Sequence, residues 1–425
     1  MFATFKQIFN PKNKDLQKRI LFTLLVLFIF KLGTTIIVPG VDTSNFQNLG
    51  YFELLNVFGG GALEKFSILA LGVMPYITAS IVIQLLQMDM IPYLTELGKQ
   101  GHTGRTKLNQ ITRVLGIILA FINGYVFSFA FLKNGSTIEY MQFATVLTAG
   151  TAFLLWLGDQ ITAKGVGNGI SLIIMAGIIA SIPSMFIDAF NALVKIGTTQ
   201  ETTLGIVSFI LYVLVYIGII IGIVFIENAE RRVPIQYANK SNAILGKQNY
   251  IPFKLNSAGV MPVIFASALL SVPSILASFI KKDGFTIFVS KWLTMNTPTG
   301  FALYVILIIA FAYFYTFLQL KPKEMAENLQ KNGGFIPGVR PGEETVDYVS
   351  KILKRITIVG AFFLAVLAAL PIVFGMIFTN LPSSVSIGGT GLLIVVGVAL
   401  ETYKQIESEL VTRDYVKGRK RRWKV

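Results

Sequence analysis

The chain has 425 residues and a formal net charge of +15, with 37 Lys and Arg against 22 Asp and Glu. Hydrophobic residues make up 53% and charged residues only 14%, and the mean hydropathy is +0.66; soluble domains carry about 25% charged residues. This composition cannot cover a soluble protein of such length with charge, so an ordinary soluble enzyme is excluded and a polytopic membrane protein is expected. The sequence has no Cys, which removes disulfides, iron–sulfur clusters and thiol nucleophiles. With one His, His102, neither a His-based metal cage nor a Ser-His-Asp triad is well supported, and the residue reads as a solvated loop residue.

In chain order, residues 1–19 form a basic N-terminal segment ahead of the first apolar run, 20–38. No small-residue cleavage site follows that run, so it is expected to be a retained helix. Further runs long enough to cross ~30 Å of hydrocarbon as helices lie at 72–88, 114–132, 143–161, 170–190, 204–226, 258–280, 301–320, 356–377 and 387–403, which makes ten predicted spans. With the N-terminus inside, the cytoplasmic segments carry 30 Lys and Arg and the outer segments 6, with Lys31 inside the first span. That bias places both termini and loops 89–113, 227–257 and 321–355 in the cytoplasm. The basic inner face suits anionic lipid. The two longest inner loops, 227–257 and 321–355, exceed what adjacent helices need and suggest docking of a large partner.

Between the first two spans, FGGGALEKFSILAL (58–71) holds a piece too short to span, with glycines before it and Gly72 after it. It is predicted to be a short amphiphilic helix, Ala62 to Leu71, re-entrant and packed inside protein; an interfacial helix lying on the lipid surface is the alternative. AKGVGNGIS (163–171) has alternating glycines without dinucleotide-binding spacing, and predicts a tight inner turn with Asn168 capping the fifth span. No Walker motif is present.

GVMPYITAS (72–80) and GVMPVIFAS (259–267) match at seven of nine positions. They open the second and seventh spans, an odd separation, so the two helices cross in opposite directions. Two inverted five-helix halves are expected, 20–190 and 191–403, followed by a basic cytoplasmic tail, 404–425. Ionisable side chains are nearly missing from the spans, apart from Lys31, Asp188 near an outer end, and Asp159 and Glu401 near cytoplasmic ends. This disfavours an ion-coupled transporter with inverted repeats, and no constellation for a membrane-embedded enzyme is visible. A pathway lined by aliphatic side chains fits a hydrophobic constriction better.

The stretches GGALEKFSILALGVMPYITASIVIQLL (60–86), GVGNGISLIIMAGI (165–178), NSAGVMPVIFAS (256–267), GFIPGVRPGEET (334–345) and GGTGLLIVVGVALE (388–401) resemble the SecY/Sec61-alpha family from end to end, in the family's order. The resemblance implies an all-α protein-conducting channel: ten transmembrane helices in two inverted halves around a pore, with a sideways gate between spans two/three and seven/eight. It implies a bacterial cytoplasmic membrane, no enzymatic activity and no cofactor or metal. Implied partners are SecE, SecG, the SecA motor, the ribosome, signal sequences, unfolded polypeptides and membrane lipid. It further implies a plug made of Gly60, Gly61, Ala62, Leu63 and Glu64, continuing through Lys65, Phe66, Ser67, Ile68 and Leu69. A pore ring is carried over by motif onto Val73, Ile77, Ile170, Ile174, Ile264 and Ile394; at the last, Leu392, Leu393 and Val395 are equally apolar neighbours. Val73 stands where relatives often have Ile. The partner-binding loops carry Arg231, Arg232 and Arg340, and the first is poorer in basic residues after Arg232 than in many relatives.

Overall fold

The computed structural model describes residues 13–38, 59, 61–63, 66–87, 90–132, 136–194, 199–237, 249–280, 283–294, 297–377 and 383–422. Each of the ten predicted spans overlaps a helix; residues 34–38 of the first lie beyond its helix end at Gly33, and residue 88 of the second lies outside the described residues. Among the described residues, six helices are long and apolar enough to cross a membrane.

The chain divides into two compact units. The first comprises Met1–Ile187 and Val398–Val425. It holds α1 (Lys14–Gly33), α2 (Met74–Leu86), α3 (Pro92–Lys99), α4 (Gly101–Phe131), α5 (Thr137–Lys164) and most of α6 (Gly169–Leu193). Local chemistry fixes their ends. Ser136 and Glu139 form a reciprocal capping box at the start of α5. Pro75 occupies the first turn of α2, where its missing N–H costs nothing. Helices α4 and α5 cross closely, because a Cβ on Gly124 would lie 3.1 Å from the Ala144 backbone. Short α3 buries Leu94 and Leu97 against Ile83 and Leu108.

The second unit, Asp188–Gly397, holds α7 (Thr199–Asn228), β1 (Glu230–Tyr237), β2 (Asn249–Lys254), α8 (Met261–Ile280) and α9 (Asp283–Trp292). After these come α10 (Pro298–Gln319), α11 (Pro322–Lys331), β3 (Gly334–Phe335), α12 (Glu343–Ile377) and the start of α13 (Ser383–Arg422). Helices α8, α10 and α12 pack in series. A Cβ on Gly360 of α12 would press on the Leu255 carbonyl just ahead of α8.

His102, expected in a loop, lies in the first turn of α4. Three further expectations need correction. First, segment 227–257 is no plain loop: β1 pairs antiparallel with β2 (Glu230↔Lys254 to Ile235↔Asn249) and with β3 (Gln236↔Phe335), in the order β2-β1-β3. Alternation along β1 points Val233 and Ile235 inward, where they join Phe253, Ile336, Val349 and Leu353 in one apolar cluster. The two long loops are therefore a single small subdomain, closed by α11 and the first turns of α12.

Second, α12 begins at Glu343 and α13 runs to Arg422, so the predicted spans 356–377 and 387–403 are parts of much longer helices. Third, the predicted plug helix is not a helix over its described residues, which form successive turns between Gly61 and Val73. Phe66 sits in the left-handed region at φ 48°, which an apolar helix does not accommodate. Gly60, Glu64 and Lys65 lie outside the described residues.

Candidate functional site

The repeated GVMP motif has one local conformation in both places. Gly72 and Gly259 both take positive φ, 57° and 62°, which glycine adopts without steric cost. The next carbonyl, that of Val73, accepts from the amides of Tyr76 and Ile77, each at 3.1 Å; that of Val260 accepts from Val263 and Ile264, at 3.2 and 3.3 Å. The sequence repeat is thus a repeated glycine-turn-to-helix junction. It sets Ile77 and Ile264 at equivalent positions, one turn into α2 and α8. Both are buried, as is Val73. By the same correspondence Val260 matches Val73, a position the motif comparison did not single out.

Ile170 and Ile174 lie one turn apart on α6, the first half-buried and the second buried. Asn168 caps this helix as expected, its Oδ1 accepting from the amides of Ile170 (3.2 Å) and Ser171 (3.4 Å). The turn before it is anchored on α1, where Thr23 Oγ1 accepts from the Val166 amide at 3.1 Å. Gly158 of α5 abuts Gly169 and Ile170 so closely that a Cβ on Gly169 would collide with the Gly158 carbonyl and one on Gly158 would press on Ile170 at 3.0 Å. In the second unit, Ile394 is buried on α13, as are Leu392 and Leu393. A Cβ on Gly397 would lie 3.6 Å from Val260, so α13 near Ile394 approaches the start of α8.

Helix α5 organises the first unit's share. The Thr151 hydroxyl donates to the Gly72 carbonyl at 3.2 Å, fixing the junction that carries Val73 and Ile77. Seven residues later, about 10 Å along the axis, Gly158 receives Ile170.

The glycine-flanked segment packs against the same helix. Ala62, Leu63, Phe66, Ser67 and Leu69 are all buried, against an interfacial helix lying on lipid. Leu63, Phe66, Ala70 and Leu71 cluster with Val38, Ala120, Phe143 and Leu147, and the Phe66 and Phe143 rings are 6.1 Å apart. Segment 36–38, after α1, pairs with segment 66–68: Val38 N–H donates to Phe66 O at 2.8 Å, and Ile68 N–H to Ile36 O at 3.0 Å.

Of the loop arginines, Arg231 and Arg232 are exposed on β1 rather than on a loop. Arg232 Nε donates to Glu230 Oε1 at 2.8 Å, and its guanidinium lies 4.8 Å from the Tyr250 ring centre. The Glu230 hydrogen bond and the nearby Tyr250 hold its pKa above the ordinary value. Arg340 is exposed on a pinned backbone: its N–H donates to Glu344 Oε2 at 3.4 Å and its carbonyl accepts from Thr345 Oγ1 at 2.8 Å. Sequence reasoning missed Tyr250, Gly150 and Thr151, and missed the ion pair of Arg113 on α4 with Asp159 on α5. A charge near the end of each neighbouring span was the available signal for that pair. Among the described residues no metal-binding cluster of His, Asp or Glu occurs.

The class of this helical membrane protein, with its two glycine-turn junctions and buried, glycine-flanked segment, follows from comparison with known proteins. The chain resembles a structure described as "The structure of a protein conducting channel", with a TM-score of 0.65, 19% identity and 93% of both chains covered. It also resembles Sec61 in a canine ribosome–channel complex, with a TM-score of 0.62, 18% identity and 93% of both chains covered. The SecY family model matches residues 67–403. The protein translocase subunit SecY of Bacillus subtilis (strain 168) is 50% identical over 430 residues, covering 97% of this chain and 98% of the relative. The chain belongs to the SecY family.

Proposed function

We propose that this protein is the channel subunit through which unfolded polypeptides cross a bacterial cytoplasmic membrane, and from which apolar segments pass sideways into lipid. Family membership over nearly the whole chain carries this reading. Val73, Ile77, Ile170, Ile174, Ile264 and Ile394 form an aliphatic collar in the pore, and 60–69 is its plug. A narrow aliphatic collar disfavours a water column without selecting ions by sign. The channel performs no covalent chemistry. Energy comes from a SecA motor or a translating ribosome, and SecE and SecG are its small membrane partners; a canine relative was solved with a ribosome. The halves are 20–190 and 191–403, and both termini face the cytoplasm. The positive Arg231, Arg232 and Arg340 of the β1–β3 subdomain meet the partner. Nothing in the family favours an ion-coupled transporter.

The test is reconstitution with SecE, SecG, SecA and ATP in vesicles. A secretory precursor should become protease-protected, and Arg340→Glu should abolish protection while the protein stays inserted, because a reversed charge repels a complementary surface. Full protection with Arg340→Glu would remove Arg340 from docking, and no protection with the unaltered chain would defeat the channel reading.

A further inference from the structure

We propose that Gly150 and Thr151 of α5 form one seat that holds both sealing devices of the channel, the 66–71 segment and the junction that starts α2. This inference rests on reading 60–69 as plug and Val73 with Ile77 as collar. Three observations carry it. A Cβ on Gly150 would collide with the Ile68 carbonyl and come within 3.3 Å of Leu69 Cδ2, so the segment's backbone lies directly on the bare face of α5. The next residue, Thr151, is buried and donates to the Gly72 carbonyl. Ile68 and Gly72 bracket the end of the segment, so two consecutive residues of one rigid helix fix it on either side. Alanine is a better helix former than glycine; the glycine in mid-helix is explained by what lies against it.

The contact on the other side is softer. A Cβ on Gly33 would meet Leu69 Cδ1, the far end of a flexible side chain, which can rotate away. The remaining hold is the apolar cluster of Leu63, Phe66, Ala70 and Leu71 with Val38, Ala120, Phe143 and Leu147, together with the two-bond pairing of 66–68 with 36–38. Displacing the segment therefore requires leaving the Gly150 face. Because Thr151 grips the following carbonyl, displacement pulls on the turn entering Val73. Plug and collar are then set together by α5.

Resting conductance of the reconstituted complex in planar bilayers tests the seat. Gly150→Ala should raise it on the order of tenfold, the shift expected when a minor open state becomes appreciable. Gly33→Ala should raise it much less. Isosteric Thr151→Val should also raise it. In the Gly150→Ala background, an oxidised Ile37→Cys/Ser67→Cys bridge should restore the seal. Those residues are a non-hydrogen-bonded antiparallel pair, whose Cα atoms typically lie about 4.5 Å apart, within disulfide reach. A folded Gly150→Ala protein that stays sealed overturns the proposal. If that variant does not accumulate, a sealed Thr151→Val protein overturns it. In a chain lacking 61–69, Gly150→Ala should add no conductance; additional leak would mean that α5 itself is distorted, and would also overturn it. If deletion of 61–69 alone leaves the conductance unchanged, the plug reading fails instead.

Discussion

At the scale of single residues, burial does not distinguish a collar side chain from a packing side chain. Ile77, Ile174, Ile264 and Ile394 are buried, but so is Ile161. Substitution separates the roles. Ile77→Gly with Ile174→Gly is expected to give a folded, inserted protein with raised ion conductance, measured in planar bilayers and larger still when 61–69 is deleted. Ile161→Gly is expected to lower stability without opening a path. A folded double variant as tight as the unaltered protein would take both residues out of the pore. The sequence made Ile77 and Ile264 legible because GVMP is repeated around them, and the structure shows why it repeats: each copy needs a left-handed glycine and a valine carbonyl at the helix start. Gly150 was not legible. Its importance depends on which carbonyl arrives opposite it from 82 residues earlier, and α5 contains a second glycine, Gly158, with no mark to separate the two.

At the scale of elements, helices were legible where apolar length alone decides, since a run of ~20 apolar residues has few other fates in lipid. Their cytoplasmic extensions were not, because polar helix such as 343–355 shows no such length signal. The sheet was missed for a different reason. β1 pairs both with β2 and with β3 about a hundred residues away, and strands of two to eight residues carry little pattern of their own. Composition suggests a helix over 62–71, but the described backbone there makes separate turns (Ser67 N–H to Ala62 O, Ala70 N–H to Ser67 O) and two hydrogen bonds with 36–38, a pairing that composition does not encode. The subdomain's cohesion is testable. Leu353 is fully buried in the cluster joining β1, β2 and α12. Leu353→Ala should cost roughly 2–5 kcal/mol, seen as a lower unfolding temperature in detergent and faster proteolysis of 227–257. Phe362→Ala, at a position 67% exposed on the outer face of α12, should change little. Equal effects of the two would mean that the loops do not fold as one body.

At the scale of the whole molecule, ten apolar runs and an inverted motif foretold a polytopic membrane protein in two halves, the resemblance implied a channel, and the family match agrees. Orientation is open to direct chemistry, because the chain has no native Cys. Single Cys at the exposed positions 231 and 340 should react with a membrane-impermeant thiol reagent only from the cytoplasmic side. Labelling of either from outside intact cells would reverse the topology. The central claim is that polypeptide passes through this chain by way of the aliphatic collar. It is tested most directly by stalling a precursor with one Cys in its trapped segment inside the reconstituted complex carrying Ile174→Cys, then oxidising. The account predicts a disulfide between precursor and channel that depends on ATP and a functional signal sequence, and no comparable product with Cys at Ile221, which lies exposed on α7. Equal cross-linking at both positions, or none at 174 with a stalled precursor present, would contradict it.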